Sequence, residues 1–217
     1  MRHIVKGPEP IALTDWKALA NEDWQPTSWR DLQNPAKSAV LSSLVQEQGF
    51  ICCYCEDRIT DSKDSHIEHL QSRHGFKHLM FDYANLLACC NFKNSRESQK
   101  QEPPHCGHAK GNEDLPVHPL LPDCREYFNF TSDGAIIPRQ EGEQAQSAAR
   151  TIDLLQLDLP LLEARRRAAI DGILDGLDTM PDSELRMLTT ALDTRDSDGR
   201  FTPFCSALVR VLEHYLP

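Results

Sequence analysis

The chain has 217 residues, of which 40% are hydrophobic and 26% are charged, and its formal net charge is −10. These values are typical of a globular protein with one sizeable core, or with one core and a small appended module. No segment approaches the roughly 18 apolar residues of a membrane span, and the first ten residues lack the apolar stretch of a signal peptide. We therefore expect a cytoplasmic protein that does not associate with a membrane.

The negative charge bears on nucleic-acid binding, because phosphate contacts need lysine and arginine. Residues 56–114 contain eight Lys or Arg and ten Asp or Glu, so the middle of the chain is not basic either. We therefore expect the chain alone to bind DNA weakly.

Residues 1–48 are predicted to form an N-terminal helical segment. Thr14 is interpreted as the cap of one short helix. Pro35 is predicted to open a second helix that runs to about Gln48, where Gly49 ends it. The apolar positions of this second helix recur at helical spacing, at Val40, Leu41, Leu44 and Val45.

Residues 49–144 are predicted to consist of short strands and loops around a cluster of cysteines. A hairpin is expected because Ser132-Asp133-Gly134 forms a turn signal between two apolar stretches. The elements predicted in this segment are short strands at 50–51, 58–60 and 65–70, a loop and apolar stretch at 83–90, a polar loop at 91–105 and the hairpin at 127–138.

The remaining residues, 145–217, are predicted to form a C-terminal helical region. Asp182 or Ser183 can cap one helix, and Pro203 stands at the first turn of the last one. Arg165-Arg166-Arg167 is interpreted either as a contact for phosphate or an acidic partner, or as a solvated helix face. Because the region carries no candidate site chemistry in its sequence, we expect it to dock a partner or to determine shape.

Cysteine and histidine are concentrated in the middle of the chain. Six of the eight cysteines lie between residues 52 and 106, and six of the nine histidines lie between residues 66 and 108. In a reducing compartment, clustered cysteines indicate metal or redox chemistry. A redox role for Cys52-x-x-Cys55 needs a following helix, which residues 56–61 do not favour.

Structural zinc is the favoured interpretation of these cysteines. Tetrahedral zinc takes four thiolate or imidazole ligands. Cys52, Cys55, one of Cys89 and Cys90, and Cys106 would supply four thiolates. The alternative is a set of buried free cysteines, which pack as small apolar residues.

An ordered set of motifs resembles a known family of nucleases. Cys-x-Tyr-Cys-Glu at 52–56, Ile-Glu-His at 67–69 and Asp-Tyr-x-Asn-Leu-Leu at 82–87 are followed by further cysteines, and together they look like an HNH nuclease of the ββα-metal type. The later motifs resemble the PtuB family, the HNH endonuclease subunits of the PtuAB (Septu) anti-phage systems, which are also found with some retrons. These later motifs are His-Cys-Gly-His-Ala-Lys-Gly-Asn at 105–112, His-Pro-Leu-Leu-Pro-Asp-Cys at 118–124, Phe-x-Phe at 128–130 and Asp-Gly-x-Ile at 133–136.

The resemblance implies an α+β fold, in which a zinc-knuckle ββα-metal finger is flanked by N-terminal helices and a C-terminal helical region. It places the third zinc ligand five residues after the motif asparagine, which favours Cys90 over Cys89. The usual fourth position falls on Lys93, so we expect Cys106 to replace it. The expected zinc ligands are Cys52, Cys55, Cys90 and Cys106, with Cys53 and Cys89 as packing residues.

The resemblance also implies metal-dependent hydrolysis of phosphodiesters. His69 is expected to be the general base, because a histidine near neutral pKa can take a proton from water. Glu68 is expected to bind a catalytic divalent cation such as Mg²⁺. Asn85 is expected to hold the loop of the base through backbone hydrogen bonds.

The third motif position departs from the family's pattern. Gly107, which follows Cys106, has no ligating side chain. His108 is expected to complete the cation site, with Asn94 as the alternative ligand. His66 could be a further ligand, but it is interpreted as a surface or zinc-adjacent histidine.

The resemblance implies DNA as the substrate and an ABC/SMC-like ATPase, the PtuA role, as the partner. In retron-associated systems an RNA–DNA element would join them. A partner that supplies DNA affinity agrees with the acidic composition of this chain. Two alternatives remain open: a non-catalytic zinc module whose helices bind a protein, and an HNH nuclease that cleaves RNA or tRNA.

Overall fold

The computed structural model describes residues 1–91, 103–174 and 176–216. The chain has a mixed α+β fold with two small antiparallel sheets, so the predicted fold class is confirmed at that level. None of the helices in these ranges is long and apolar enough to cross a lipid bilayer. The helices are α1 (Ile11–Lys17), α2 (Ala36–Glu47), α3 (Gly107–Lys110), α4 (Gly142–Leu155), α5 (Pro160–Leu174), α6 (Asp182–Asp193) and α7 (Cys205–Glu213). The strands are β1 (Ser65–His69), β2 (Leu86–Cys90), β3 (Phe128–Phe130) and β4 (Ile136–Pro138).

Both sheets are two-stranded. β1 pairs with β2 so that Ser65 lies opposite Cys90 and His69 lies opposite Leu86. β3 and β4 form the hairpin that the turn signal predicts. The two strands expected at 50–51 and 58–60 reduce to a single bridge between Ile51 and Arg58, because the intervening residues form a tight cysteine turn.

The predicted bounds are accurate for α2 but not for α1. α2 agrees with the prediction to within a residue at each end and buries the apolar face that its spacing indicates. α1 begins at Ile11 rather than at Thr14. Pro10 precedes it in an extended conformation, and its fixed φ and missing N–H favour the start of a helix. Thr14 therefore lies inside the helix, where its hydroxyl donates to Glu9.

The apolar core falls into two clusters. One includes buried residues of α2, the cysteine turn, β2, the β3–β4 hairpin and α4. The other is built from α5, α6 and α7. The last turn of α4 reaches the cysteines directly, because the carbonyl of Leu155 accepts a hydrogen bond of 2.8 Å from the backbone N–H of Cys106.

The arginine cluster on α5 makes structural contacts. Arg166 is buried and donates to the carbonyls of Gly134 (2.6 Å) and Leu157 (2.8 Å). Arg165 forms an ion pair of 2.9 Å with Asp57, beside the cysteine turn. A solvated helix face is therefore the wrong interpretation for Arg166, since burial is tolerated only where its donors find acceptors.

Glu56 joins the cysteine turn to α7. Its carboxylate accepts a 2.8 Å hydrogen bond from the backbone N–H of Ser206 and lies 3.1 Å from the amino group of Met1. Burial acts to raise the pKa of Glu56, but the positive amino group and the hydrogen bonds outweigh it and lower the pKa from 4.5 to about 2. Because the folded-state pKa is depressed, this stabilisation is present above pH 4.5 and is lost as the pH falls towards 2.

Replacing Glu56 with glutamine is expected to reduce the free energy of unfolding at neutral pH by about 3 kcal/mol, which corresponds to the depression of the pKa. The variant should also lose less stability on acidification than the wild type. Urea unfolding at neutral and acidic pH measures both effects. Glu22→Gln, at an exposed position, is the matched control, and equal stability of the two variants would show that the Glu56 contacts contribute little.

Candidate metal centre and active site

Four buried cysteines form a compact group that could hold a metal ion: Cys52, Cys89, Cys90 and Cys106. Their sulfur atoms all lie within 4.8 Å of one another, and the Sγ atoms of Cys52 and Cys89 are 3.9 Å apart. A zinc ion bound by four thiolates at about 2.3 Å in a tetrahedron has sulfur–sulfur edges of about 3.8 Å. The spacing of these thiols therefore fits zinc.

A fifth thiol adjoins this group. The Sγ atom of Cys55, an expected zinc ligand, lies 3.8 Å from that of Cys90. Cys89 was expected to be a packing residue, yet its sulfur belongs to the compact group. Five thiols thus surround four ligand positions, and the choice between Cys55 and Cys89 remains a prediction.

Separate segments of the chain bring these sulfurs together. Cys52 lies in the turn after α2, where its N–H donates to the carbonyl of Asp57. Cys89 and Cys90 end β2. Cys106 precedes α3 with a φ of 54°, a region that non-glycine residues rarely occupy. Strained backbone of this kind is typical of ligand-binding positions that the surrounding structure holds in place.

The protonation of the thiols depends on their neighbours. Burial raises the pKa of Cys106 and the pKa of Cys89. Burial also opposes ionisation of Cys52, but hydrogen bonds from the neighbouring thiols outweigh it and lower its pKa. Because zinc binds thiolates, metal binding at this group releases protons.

His105 adjoins the thiols and was not selected from the sequence. Its Nε2 atom lies 3.6 Å from the Sγ of Cys90, and its Nδ1 atom lies 3.2 Å from the carbonyl of Pro103. A carbonyl only accepts hydrogen bonds, so Nδ1 carries the proton and Nε2 is free to accept from a thiol. Its position immediately before Cys106 is the signal that could have identified it.

The Glu68 carboxylate lies on β1 beside the thiols and is held by three side chains. Its Oε1 atom is 3.3 Å from the Nζ of Lys110 and accepts a 3.3 Å hydrogen bond from the hydroxyl of Tyr54. Its Oε2 atom is 3.7 Å from the Nε2 of His66. Burial acts to raise the pKa of Glu68, but His66 and Lys110 outweigh it and lower the pKa. The carboxylate is therefore charged at neutral pH.

Lys110 connects Glu68 to the next residue of the strand. Its side chain is buried, and its Nζ donates a 3.1 Å hydrogen bond to the backbone carbonyl of His69. A buried lysine is rare unless it is paired. The sequence indicates Lys110 only through the Cys-Gly-x-x-Lys motif, which did not by itself assign it a role.

The His69 imidazole is buried and neutral. Its Nε2 atom lies 2.9 Å from the carbonyl of Met80, so Nε2 carries the proton and Nδ1 has the free lone pair. Burial lowers the pKa of His69 to about 4. The ring of Trp29 lies perpendicular to the imidazole, with centroids 4.5 Å apart. His69 is therefore oriented on two sides and keeps a basic nitrogen at neutral pH.

Asn85 closes the loop that contains Met80. Its side-chain amide donates to the carbonyls of Gln71 (3.0 Å) and Leu79 (3.2 Å), and its oxygen accepts from the N–H of Gln71 (2.8 Å). These bonds join the end of β1 to the start of β2. They fix the backbone that carries the hydrogen-bond partner of His69.

His66 lies between Glu68 and His108. The rings of His66 and His108 are 4.6 Å apart, and the Nδ1 of His66 bonds the side-chain oxygen of Asn91 at 3.0 Å. Nδ1 is therefore protonated, so Nε2 is the nitrogen that faces Glu68. Burial lowers the pKa of His108, which favours its neutral, metal-binding form. His66 was interpreted as a surface or zinc-adjacent histidine, but its side chain contacts both of the expected cation ligands, Glu68 and His108.

The structure does not bring the expected cation ligands into one compact set. Within residues 1–91, 103–174 and 176–216, the cysteine group is the only set of three or more Cys, His, Asp or Glu residues whose ligand atoms all lie within 4.8 Å of one another. Glu68 and His108 contact His66 from two sides instead. The alternative ligand Asn94, and Lys93, lie outside the described residues.

Gly107 occupies the third motif position because a side chain there would meet Glu68. A Cβ atom at Gly107 would lie 2.6 Å from the Oε2 of Glu68 and 3.2 Å from the Sγ of Cys89. Lys110 and Tyr54 hold this carboxylate, so it cannot move away freely. The close approach explains why glycine, and no residue with a side chain, follows Cys106.

Replacing Gly107 with alanine is expected to lower the free energy of unfolding by about 1–3 kcal/mol through overpacking. Thermal unfolding of the zinc-loaded protein measures the loss. Gly172→Ala is the control, because no atom lies within 4 Å of its added Cβ and alanine is the better helix former. A Gly107→Ala protein as stable as this control would show that Glu68 can move aside.

Comparison with known proteins gives no family. No protein-family model matches the chain, and no curated protein matches it either. The function of the chain is therefore inferred from the residues of this site.

Proposed function

We propose that the chain is a metal-dependent HNH endonuclease of the PtuB family, built on a zinc-binding ββα-metal finger, and that it cleaves DNA in a cytoplasmic anti-phage complex. One observation carries the proposal. A neutral, oriented histidine and a charged carboxylate stand side by side on β1, and the buried ammonium of Lys110 contacts both residues. This pair adjoins a thiol group whose spacing fits structural zinc.

The chemistry is in-line hydrolysis of a phosphodiester. The oxygen of a water molecule forms a bond to phosphorus while the bond to the ester oxygen breaks. His69 accepts the proton of the water at Nδ1, since Nε2 is engaged with Met80. The leaving oxygen takes its proton from solvent.

The residues around Glu68 fit a hard divalent cation. A charged carboxylate beside the imidazoles of His66 and His108 suits a divalent ion such as Mg²⁺, which binds few protein ligands and completes its shell with phosphate and water. When bound, the cation would polarise the phosphate and stabilise the leaving oxygen. Asn85 and Lys110 keep Glu68 and His69 in place.

The proposed substrate and partner rest on the resemblance to the PtuB family, and the charge of the chain agrees with the need for a partner. The net charge of −10 opposes binding of a polyanion, so the chain should hold free DNA weakly. An ABC/SMC-like ATPase in the PtuA role would supply DNA affinity and control cleavage, together with a retron RNA–DNA element in systems that have one. Tight, salt-sensitive DNA binding by the purified chain alone would contradict this part of the proposal.

A non-catalytic zinc module is the second candidate. It is favoured by the absence of a compact three-ligand cation site among the described residues outside the cysteine group. This candidate predicts that the chain binds zinc and does not cleave nucleic acid. It also predicts that the neutral state of His69 has no function.

The test of the proposal is cleavage of plasmid DNA by the zinc-loaded chain with Mg²⁺ or Mn²⁺, alone and with an ABC/SMC-like ATPase added as the proposed partner. We expect nicking that depends on the added cation and stops when the free cation is chelated. Single-stranded RNA and tRNA are assayed in parallel to determine whether the chain cleaves RNA rather than DNA. Loss of every cleavage activity in a folded, zinc-loaded protein would favour the non-catalytic module.

A further inference from the structure

A groove of about 580 Å³ runs between α2 and β1 and opens onto the candidate active site. Its described lining includes Trp29, Gln33, Lys37, Ser62, His66 and His108. His66 and His108 contact each other, and His66 faces Glu68. The groove therefore leads to the residues proposed to bind the cation.

The groove is free of acidic side chains in an acidic protein. No Asp or Glu belongs to its described lining, whereas the whole chain has 33 acidic and 23 basic residues. Besides the apolar side chains of Trp29, Leu41 and Ile67, one lysine, two histidines, amides and hydroxyls line it. These groups suit phosphate and sugar oxygens, because they donate hydrogen bonds and present no negative charge.

Lys37 is the strongest cation of this surface. Its Nζ lies 5.7 Å from the centre of the Trp29 ring, and no carboxylate of the described residues pairs with it. Unpaired lysines beside an aromatic ring are typical of surfaces that track a polynucleotide backbone. The same Trp29 packs against His69, so one aromatic residue links the groove wall to the general base.

We propose that this groove binds the strand to be cut, as a short single-stranded segment of about one or two nucleotides, with Lys37 contacting a phosphate beside the scissile bond. The volume is in the range of sites for small ligands, which suits an unpaired segment rather than the side of a duplex. The inference rests on the proposed nuclease function and names the substrate form for that same site. Binding is weak, because the field of the remaining chain is negative.

The experiment measures binding of a fluorescent single-stranded oligothymidylate to the zinc-loaded chain at several low salt concentrations without Mg²⁺. Lys37→Glu is expected to weaken binding about tenfold and to lower the log–log salt slope by about one. Gln33→Glu, which places a carboxylate at another exposed point of the lining, should also weaken binding. Gln33→Glu replaces Lys37→Glu as the test variant if Lys37→Glu does not fold. Arg186→Glu carries the same charge change on an exposed position of α6 and should change affinity less than twofold.

Each outcome decides the inference. A loss with Lys37→Glu equal to that with Arg186→Glu, with about half that loss in free energy for Gln33→Glu and its single unit of charge, would show that only net charge matters and would overturn it. Tighter binding of a duplex of equal length, with the same dependence on Lys37, would overturn the single-strand assignment. If Lys37→Glu loses oligonucleotide binding but the wild type does not cleave DNA, the groove binds a strand and the proposed nuclease function is rejected. Wild-type cleavage that Lys37→Glu retains at unchanged KM would support the nuclease and reject the groove.

Discussion

Replacing Cys106 with serine is expected to reduce bound zinc from one ion per chain to a small fraction and to cost on the order of 5 kcal/mol of stability or more, because structural zinc supplies folding energy directly. Cys106 is fully buried within the thiol group and joins it to α4 through Leu155. Loss of this ligand should therefore release the metal and loosen the contact of α4 with the cysteine turn. Metal analysis of the purified protein and thermal unfolding with and without a chelator measure the two effects.

Cys124→Ser is the matched control for the zinc experiment. Cys124 is equally buried, but its thiol faces the carbonyl of Met1 rather than the thiol group. This control should keep its zinc even if burial of a hydroxyl costs some stability. Full zinc content in Cys106→Ser would rule out the proposed site. The same measurement on Cys55→Ser and Cys89→Ser identifies the remaining ligand, since the variant of the true ligand should lose the metal.

Replacing His69 with alanine is expected to reduce the rate of DNA cleavage by a factor of about 10²–10⁴, the usual contribution of a positioned general base. The imidazole is neutral at physiological pH because burial lowers its pKa to about 4. Its Nδ1 can therefore accept a proton from water. The measurement is the initial rate of plasmid nicking at saturating Mg²⁺, with the proposed ATPase partner added if the chain alone is too slow.

His78→Ala controls for the loss of a nearby histidine, because His78 is exposed and lies within the 3₁₀ turn Lys77–Leu79 that precedes Met80. It should cleave at the wild-type rate. Zinc content should be unchanged in both variants, which separates a chemical effect from loss of the finger. A His69→Ala protein that cleaves within twofold of the wild-type rate would sink the assignment of the base. His69→Gln, which keeps the bulk beside Trp29, tests whether lost packing explains the result.

The sequence was sufficient for features that depend on neighbouring residues. Pro35 and Gly49 bound α2, and Ser132-Asp133-Gly134 forms the turn of the β3–β4 hairpin. The spacing of Cys52 and Cys55 indicated a metal site before any contact was known. Thr14 places the predicted start of α1 three residues too late, because Pro10, with its fixed φ, sets the start of the helix at Ile11.

The site needed long-range contacts that no local pattern contains. Cys89 and Cys90 are adjacent in the chain, and only the arrangement of β2, the cysteine turn and α3 brings both sulfurs close to those of Cys52 and Cys106. Lys110 carries a charge, yet α3 places it in the interior, where Glu68 and a backbone carbonyl compensate that charge.

By itself, the sequence determined the limits of α2, the acidic charge, the clustering of the cysteines and the order of the candidate catalytic residues, since each is written in residue type and spacing. Only the tertiary structure decided that Arg166 is buried and donates a hydrogen bond to the carbonyl of Gly134. It also decided that His66 contacts both Glu68 and His108, and that a groove whose described lining has no acidic side chain leads to these two histidines. The physical reason is that burial and pairing of charge depend on which distant segments meet. Desolvation makes an unpaired charge costly, so the fold retains only those charges for which it also provides partners.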